Sequence, residues 1–208
     1  MNSTTKPVTR SQQKQQDIVR AAEQVFIECG YRGASVDAIA ERAQVSKRTI
    51  YNHFNNKESL FQHITNLLIE EVVRSSSVVY DREQPLDKQL FDILSGAWDA
   101  LTSQKLIELV RVITSEYMLN PAMSRETMER ITKGEEGMNI WLKAAIADKR
   151  LKPVDVEFAA TMLRGMVHEY GHHPMLFFGM PAPSKKEKQH TLTEIVAVFL
   201  GRYQAGSE

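Results

Sequence analysis

Residues 35–61, SVDAIAERAQVSKRTIYNHFNNKESLF, restrict this chain more than any other stretch. They hold two short amphipathic helices joined by a turn, then the start of a third. Ser35 is placed to cap the first helix through its side-chain oxygen. Asp37 follows in the first turn, where the helix dipole favours an anion. Val36, Ile39, Ala40 and Ala43 recur at i, i+3, i+4 and i+7 and make one apolar stripe. Gln44-Val45 fits the turn, with Val45 as an apolar plug. Ser46 is the next N-cap, and the helix it opens reads Lys47 to Phe54. Ile50 and Phe54 face inward, which leaves Lys47, Arg48, Thr49, Tyr51, Asn52 and His53 outside. Burying that many donors in a core would be costly, so this helix suits a surface that needs donors.

Duplex DNA is such a surface. Two short helices at a tight turn have the layout of a helix-turn-helix, whose second helix enters the major groove. Arg and Lys pair with guanine O6/N7, Asn pairs with adenine, and Thr or Tyr reaches a phosphate or a thymine methyl. Asn55-Asn56 break the helix, Asn56 can cap the next, and Lys57 stands at that helix start, where free N–H groups attract a phosphate. The expected DNA contacts are Ser35, Ser46, Lys47, Arg48, Thr49, Tyr51, Asn52, His53 and Lys57. A solvated segment with no partner would show the same periodicity, but the residue string is more specific. Ile18-Ala22-Val25-Phe26, Gly30-Tyr31, Ala34-Ser35-Val36, Ile39-Ala40, Ala43, Val45-Ser46, Ile50-Tyr51, His53-Phe54, Lys57-Glu58 and Leu60-Phe61 together resemble the N-terminal domain of the TetR family of transcriptional regulators. Two positions depart from that pattern. Many members carry Gly where this chain has Gln44, and a positive φ there would cost Gln about 1 kcal/mol. Arg48 stands where many members carry a small residue, which marks it as a contact peculiar to this chain's operator.

Charge is distributed accordingly. Residues 1–60 hold nine Lys/Arg against six Asp/Glu, net +3, and residues 61–208 hold seventeen against twenty, net −3. A basic end joined to a mildly acidic remainder fits one DNA-facing module and one that keeps away from DNA. No apolar run is long enough to span a membrane, and the polar start MNSTTKPVTRSQQKQQ lacks a signal-peptide core. The single cysteine, Cys29, fits a reducing cytoplasm and is expected on the inner stripe of the first helix as a buried thiol.

The domain reading is a flexible arm at 1–10 with Lys6, Arg10 and Lys14 near it, a helix-turn-helix domain at 11–57, and a helical domain at 58–208. The first helix is expected from Ser11 to Cys29, ending at Gly30. Further helices are expected at 58–77, 86–102, 104–119, 122–148, 154–173 and 185–203. Breaks are expected at Pro121, Pro153 and Pro174, and the long fourth of these helices is weakened at Gly134 and Gly137. No sustained period-2 pattern occurs, so the chain is all-α: an N-terminal three-helix DNA-binding domain and a C-terminal helical domain. The last two helices carry apolar residues on more than one stripe, Val156 to Val167 and Leu192 to Leu200, and so bury two sides. Two DNA-reading heads one helical turn apart read a palindrome, and a homodimer would supply them.

The carboxy-terminal part has a weaker likeness to the AefR-like subgroup, through Leu109-Val110-Arg111-Val112-Ile113, Glu116 and Trp141. The resemblance implies a domain that dimerises and binds a small effector, which reorients the DNA heads. Met and aromatic residues line adaptable apolar pockets. Trp98, Met138, Trp141, Met162, Met166 and Tyr170 are the expected lining, with Tyr117, Met118 and Phe177 nearby. Arg111, Glu116 and His168 are the polar handles, and the expected effector is hydrophobic. No cofactor is expected.

A rival reading comes from His168-Glu169-Tyr170-Gly171-His172, which matches H-E-x-x-H, two zinc-binding His with a Glu general base. A catalytic site needs a third ligand, and His173, His190 and Glu194 are the nearest in sequence. The simpler reading is that these His cap a helix end as cations. No other catalytic constellation occurs, and the chain reads as a regulator, with a metal-binding or zinc-hydrolase protein as the alternative.

Overall fold

The computed structural model describes residues 9–125, 127 and 137–206. The flexible-arm reading, with Lys6, and the weak point at Gly134 lie outside these residues, apart from Thr9 and Arg10. Helices are α1 (Arg10–Gly33), α2 (Val36–Arg42), α3 (Lys47–His53), α4 (Lys57–Ser75), α5 (Leu86–Leu101), α6 (Gln104–Leu119), α7 (Gly137–Ala147), α8 (Val156–Val167), α9 (His173–Phe178) and α10 (Lys185–Tyr203). A π turn, His168–His172, joins α8 to α9, and residues 121–125 are also helical. Among the described residues the only β pairing is one isolated bridge, Leu151 with Gln204. The chain is all-α, with a helix-turn-helix N-terminal part and a helical C-terminal part.

Two compact units are present: Met1–Leu67 with Arg111–Thr127, and Leu68–Val110 with Met128–Glu208. This division differs from the one read at residue 57. Helices α4 and α6 each run from one unit into the other, and the end of α6 belongs with the first.

In the first unit, Thr9 and Gln12 form a capping box that starts α1. Ile18, Ala22, Val25 and Phe26 are buried along the expected stripe. Cys29 is not: it is exposed, with its thiol 3.0 Å from the Val25 carbonyl. The chain leaves helical geometry at Gly30 (φ 72°, ψ 170°), so the stripe ends one residue after Cys29 and the residue stays at the surface. Ser35 caps α2, Ser46 caps α3 and Asn56 accepts from the Ser59 N–H at the start of α4. Ile39, Ile50, Phe54, Leu60 and Phe61 close the core under them. Phe26, Tyr31 and Phe61 pack their rings together, with centroids 4.6–5.9 Å apart. Gln44 does adopt the left-handed region, at φ 53°.

In the second unit, Leu90, Ile93, Leu94, Trp98, Trp141, Leu163 and Phe199 are among the buried side chains of one core. Buried Gln89 receives the Trp141 indole N–H at 3.1 Å and donates to the Asp81 and Gln84 carbonyls, so this buried amide and the indole are satisfied. A Cβ on Gly96 would sit 1.8 Å from the Ser75 carbonyl oxygen, so only glycine allows α5 this close to the end of α4. Asp155 and Ser184 cap α8 and α10. The break expected at Pro174 is instead continuous helix. The π turn shifts the hydrogen-bond register, so Pro174 falls in the first turn of a new helix, where its missing N–H costs nothing. The chain turns at Gly179 (φ 64°).

Replacing Gln44 by Gly removes the left-handed penalty while adding some freedom to the unfolded chain. Gln44→Gly is expected to raise stability by about 0.5 kcal/mol, read as a higher urea midpoint at unchanged slope.

Candidate functional site

Helix α3 is seven residues long, and two of its residues decide its orientation. Ile50 is buried within it and Phe54 is buried at its C-cap, so the opposite face points out. Arg48, Tyr51 and Asn52 stand on that face at i, i+3 and i+4, all exposed, and Tyr51 keeps half its surface free. None of the three has a side-chain hydrogen bond or ion pair among the described residues. Lys47, also exposed, pairs with Asp37 at 2.5 Å. That surface ion pair is weak and can exchange for another anion.

The remaining expected contacts are partly engaged within the fold. Ser35 accepts the Ala38 N–H and Ser46 the Thr49 N–H, each at 3.1 Å. The Thr49 hydroxyl lies 2.9 Å from Ser46 Oγ, and His53 is half-buried against Phe54. Lys57 requires a correction. Its ammonium donates to the Tyr31 and Ala34 carbonyls at 2.7 and 2.9 Å and lies 4.5 Å from the Tyr31 ring centre. Two of its three N–H groups therefore close the end of α1, and its first role is structural.

A second feature is a cavity of about 290 Å³ enclosed by the second unit alone. Its walls come from Leu68, Ile69, Val72 and Val73 of α4 with the following Ser76, Leu94 to Leu101 of α5, Leu106 and Val110 of α6, and Met138 of α7. Arg164, Val167, His168 and His172 complete it. Of the eight residues expected to bind an effector, Met138 alone lines this space, joined by the expected handle His168. Trp98 and Trp141 are core, Trp98 packed on Gly171 and Trp141 tied to Gln89. Met162 and Met166 pack against the same core. Tyr170 and Phe177 are exposed, as is Met118. Arg111 and Glu116 belong to the first unit, where buried Glu116 pairs with Arg32 at 3.1 Å and Tyr117 shares a hydroxyl contact with Thr127. Composition picked out Met and aromatics, whereas the walls are mostly Leu, Val and Ala from one face of each helix.

The H-E-x-x-H reading is not supported. Among the described residues no group of three or more His, Cys, Asp or Glu could hold a metal ion. His172 is buried with Nδ1 2.9 Å from the Leu101 carbonyl, and Glu169 turns to His173 at 3.1 Å. The rings are not cationic helix caps either. Burial, with His172, His173 and Arg164 nearby, pushes His168 down to about 4. Burial likewise lowers His172, against the pull of the Leu101 carbonyl. Both imidazoles are neutral at pH 7.

Residues 18–64 match the family described as bacterial regulatory proteins, tetR family. Residues 88–205 match the AefR-like transcriptional repressor C-terminal domain. A solved TetR family transcriptional regulator from Pseudomonas syringae pv. tomato superposes with a TM-score of 0.80 at 33% identity, over 94% of this chain and 98% of that one. The flavonoid-responsive regulator FrrA superposes with a TM-score of 0.72 at 26% identity, over 94% and 99%. The HTH-type transcriptional regulator YhgD of Bacillus subtilis is 29% identical over 150 residues, 70% of this chain and 76% of that protein.

The neutral His168 gives a pH test. The unfolded chain takes up a proton near pH 6.5 that the folded chain refuses until about pH 4. Stability is therefore whole above pH 6.5 and is lost as pH falls through that window, by about 3 kcal/mol at most. His168→Gln is expected to flatten the fall in urea midpoint between those limits. An unchanged slope would mean the ring is hydrated.

Proposed function

This chain belongs to the TetR family of transcriptional regulators, and from that premise we propose that it is a repressor that a small, mostly apolar effector releases from a palindromic operator. The observation that carries the DNA-reading part is the stripe Arg48-Tyr51-Asn52: three donor-bearing side chains, exposed and unpartnered among the described residues, on one face of a capped helix. In the major groove Arg48 reads guanine and Asn52 reads adenine. Lys47 exchanges Asp37 for a phosphate.

A second copy of the chain provides the second head. Helices α8 and α10 bury Ala159, Ala160, Leu163, Leu192, Ile195 and Phe199 in their own core. Their outer sides expose Phe158 (60%) and Val198 (65%), beside the open Gly165 and Gly201. These outer sides form the self-complementary face of a two-fold dimer. The AefR-like match names a repressor, which sets the direction of regulation proposed here.

The cavity is the effector site. Its volume is at the small end for ligand pockets and its lining is apolar with a few polar groups. FrrA is described as flavonoid-responsive, which makes an effector of that size a reasonable class for this chain. Helix α4 gives the cavity Leu68, Ile69, Val72 and Val73 and gives the first unit Lys57, while α6 gives the cavity Leu106 and Val110 and the first unit Glu116. An effector that favours one packing of these helices biases the heads by the difference in its affinity for the two states.

Arg48→Ala is expected to weaken binding to the operator by about 1–3 kcal/mol and to relax preference at one base pair per half-site. Titration of wild type and variant onto operator and random duplexes checks this. Equal losses on both would assign Arg48 to the backbone and remove it from base reading.

A further inference from the structure

Two polar groups of the cavity wall, His172 and Ser76, are left as acceptors by the bonds they already make. Leu101 O can only accept a hydrogen bond, so the His172 nitrogen 2.9 Å away must donate, and Nδ1 carries the proton. The ring is buried and neutral, which leaves Nε2 with a lone pair and no hydrogen. Among the described residues no hydrogen bond to His172 Nε2 is found, and His172 lines the cavity. Ser76 gives its hydroxyl hydrogen to the Val72 and Val73 carbonyls at 3.0 and 3.1 Å, so it too can only accept from a ligand. His168, 5.1 Å from His172 ring to ring, has no hydrogen-bond partner among the described residues and offers one donor and one acceptor. Arg164 is the cationic donor at the wall, and its guanidinium reaches the Thr161 hydroxyl at 3.1 Å.

We propose that the ligand of this cavity is an uncharged apolar molecule bearing a hydroxyl group, which donates its hydrogen to His172 Nε2 and accepts from His168. This rests on the reading of the cavity as the effector site and adds the chemistry that selects the effector. A ketone or ether can accept from His168 or Arg164 but leaves the His172 lone pair without a hydrogen. A carboxylate can pair with Arg164 but likewise brings no hydrogen to His172, and His168 is neutral at pH 7 and adds no charge to hold it. A hydroxyl satisfies the lone pair of His172 without any change of charge, and a site that accepts a ligand hydrogen bond discriminates against the analogue that lacks the hydrogen.

Calorimetric titration of the full-length protein at pH 7 with 2-naphthol, its methyl ether and 2-naphthoate tests this. The hydroxyl compound is expected to bind at least about tenfold tighter than the ether and tighter than the acid. In protein with nitrogen-labelled histidine it is expected to move the His172 Nε2 resonance while Nδ1 stays protonated. An ether that binds as well as the naphthol overturns the proposal and leaves the cavity a ligand site. An acid that binds tightest overturns it in favour of Arg164 as the anchor. Binding of none of the three overturns the cavity as an effector site and this inference with it.

Discussion

A seven-residue helix does not hold itself together in water, because nucleation costs more than so few hydrogen bonds return. Everything α3 does depends on its being held by others. Ser46 caps its first turn, Ile50 and Phe54 tie it to the core of the first unit, and α1 and α4 supply the other walls of that core. The consequence is chemical. Because two apolar residues suffice to anchor the helix, Arg48, Tyr51 and Asn52 need contribute nothing to folding and remain free to meet a ligand. The Lys57 ammonium plays the complementary part. It satisfies the carbonyls of Tyr31 and Ala34 where α1 unravels after Gly30, and so fixes the chain just before α2 begins.

Local chemistry was legible in the sequence. Ser35, Ser46 and Asn56 act on N–H groups three residues away, so a cap can be read from a short window. The strain at Gln44 was legible for the same reason, since the helix-turn-helix fixes the backbone there whatever residue occupies it. What depended on distant partners was not. Lys57 reaches carbonyls 23 and 26 residues away that exist as free acceptors only because the chain leaves the helix at Gly30. That same departure exposes Cys29, which helical periodicity had placed inside.

The cavity was the least legible part. A pocket is the space left where one face of each of several helices converges, and composition does not say which faces those are. Met and aromatic residues were the natural candidates, yet Trp98 and Trp141 were needed to fill the core and Tyr170 fell outside. The H-E-x-x-H string shows the converse. Its spacing is right for two ligands on a regular helix, but the segment is a π turn whose His172 is committed to a backbone carbonyl. The two imidazoles serve the cavity as neutral polar groups instead, in keeping with the mostly apolar wall around them.

The central claim is that the exposed face of α3 reads base sequence as one of a symmetric pair. Selection of bound sequences from a random duplex pool by the full-length protein, with affinity followed against salt, tests it most directly. A palindrome whose half-sites lie about one helical turn apart, roughly 34–36 Å, is expected to be enriched and bound far more tightly than random DNA at the same salt. Recovery of no preferred sequence, with only steeply salt-dependent binding to any duplex, would contradict it.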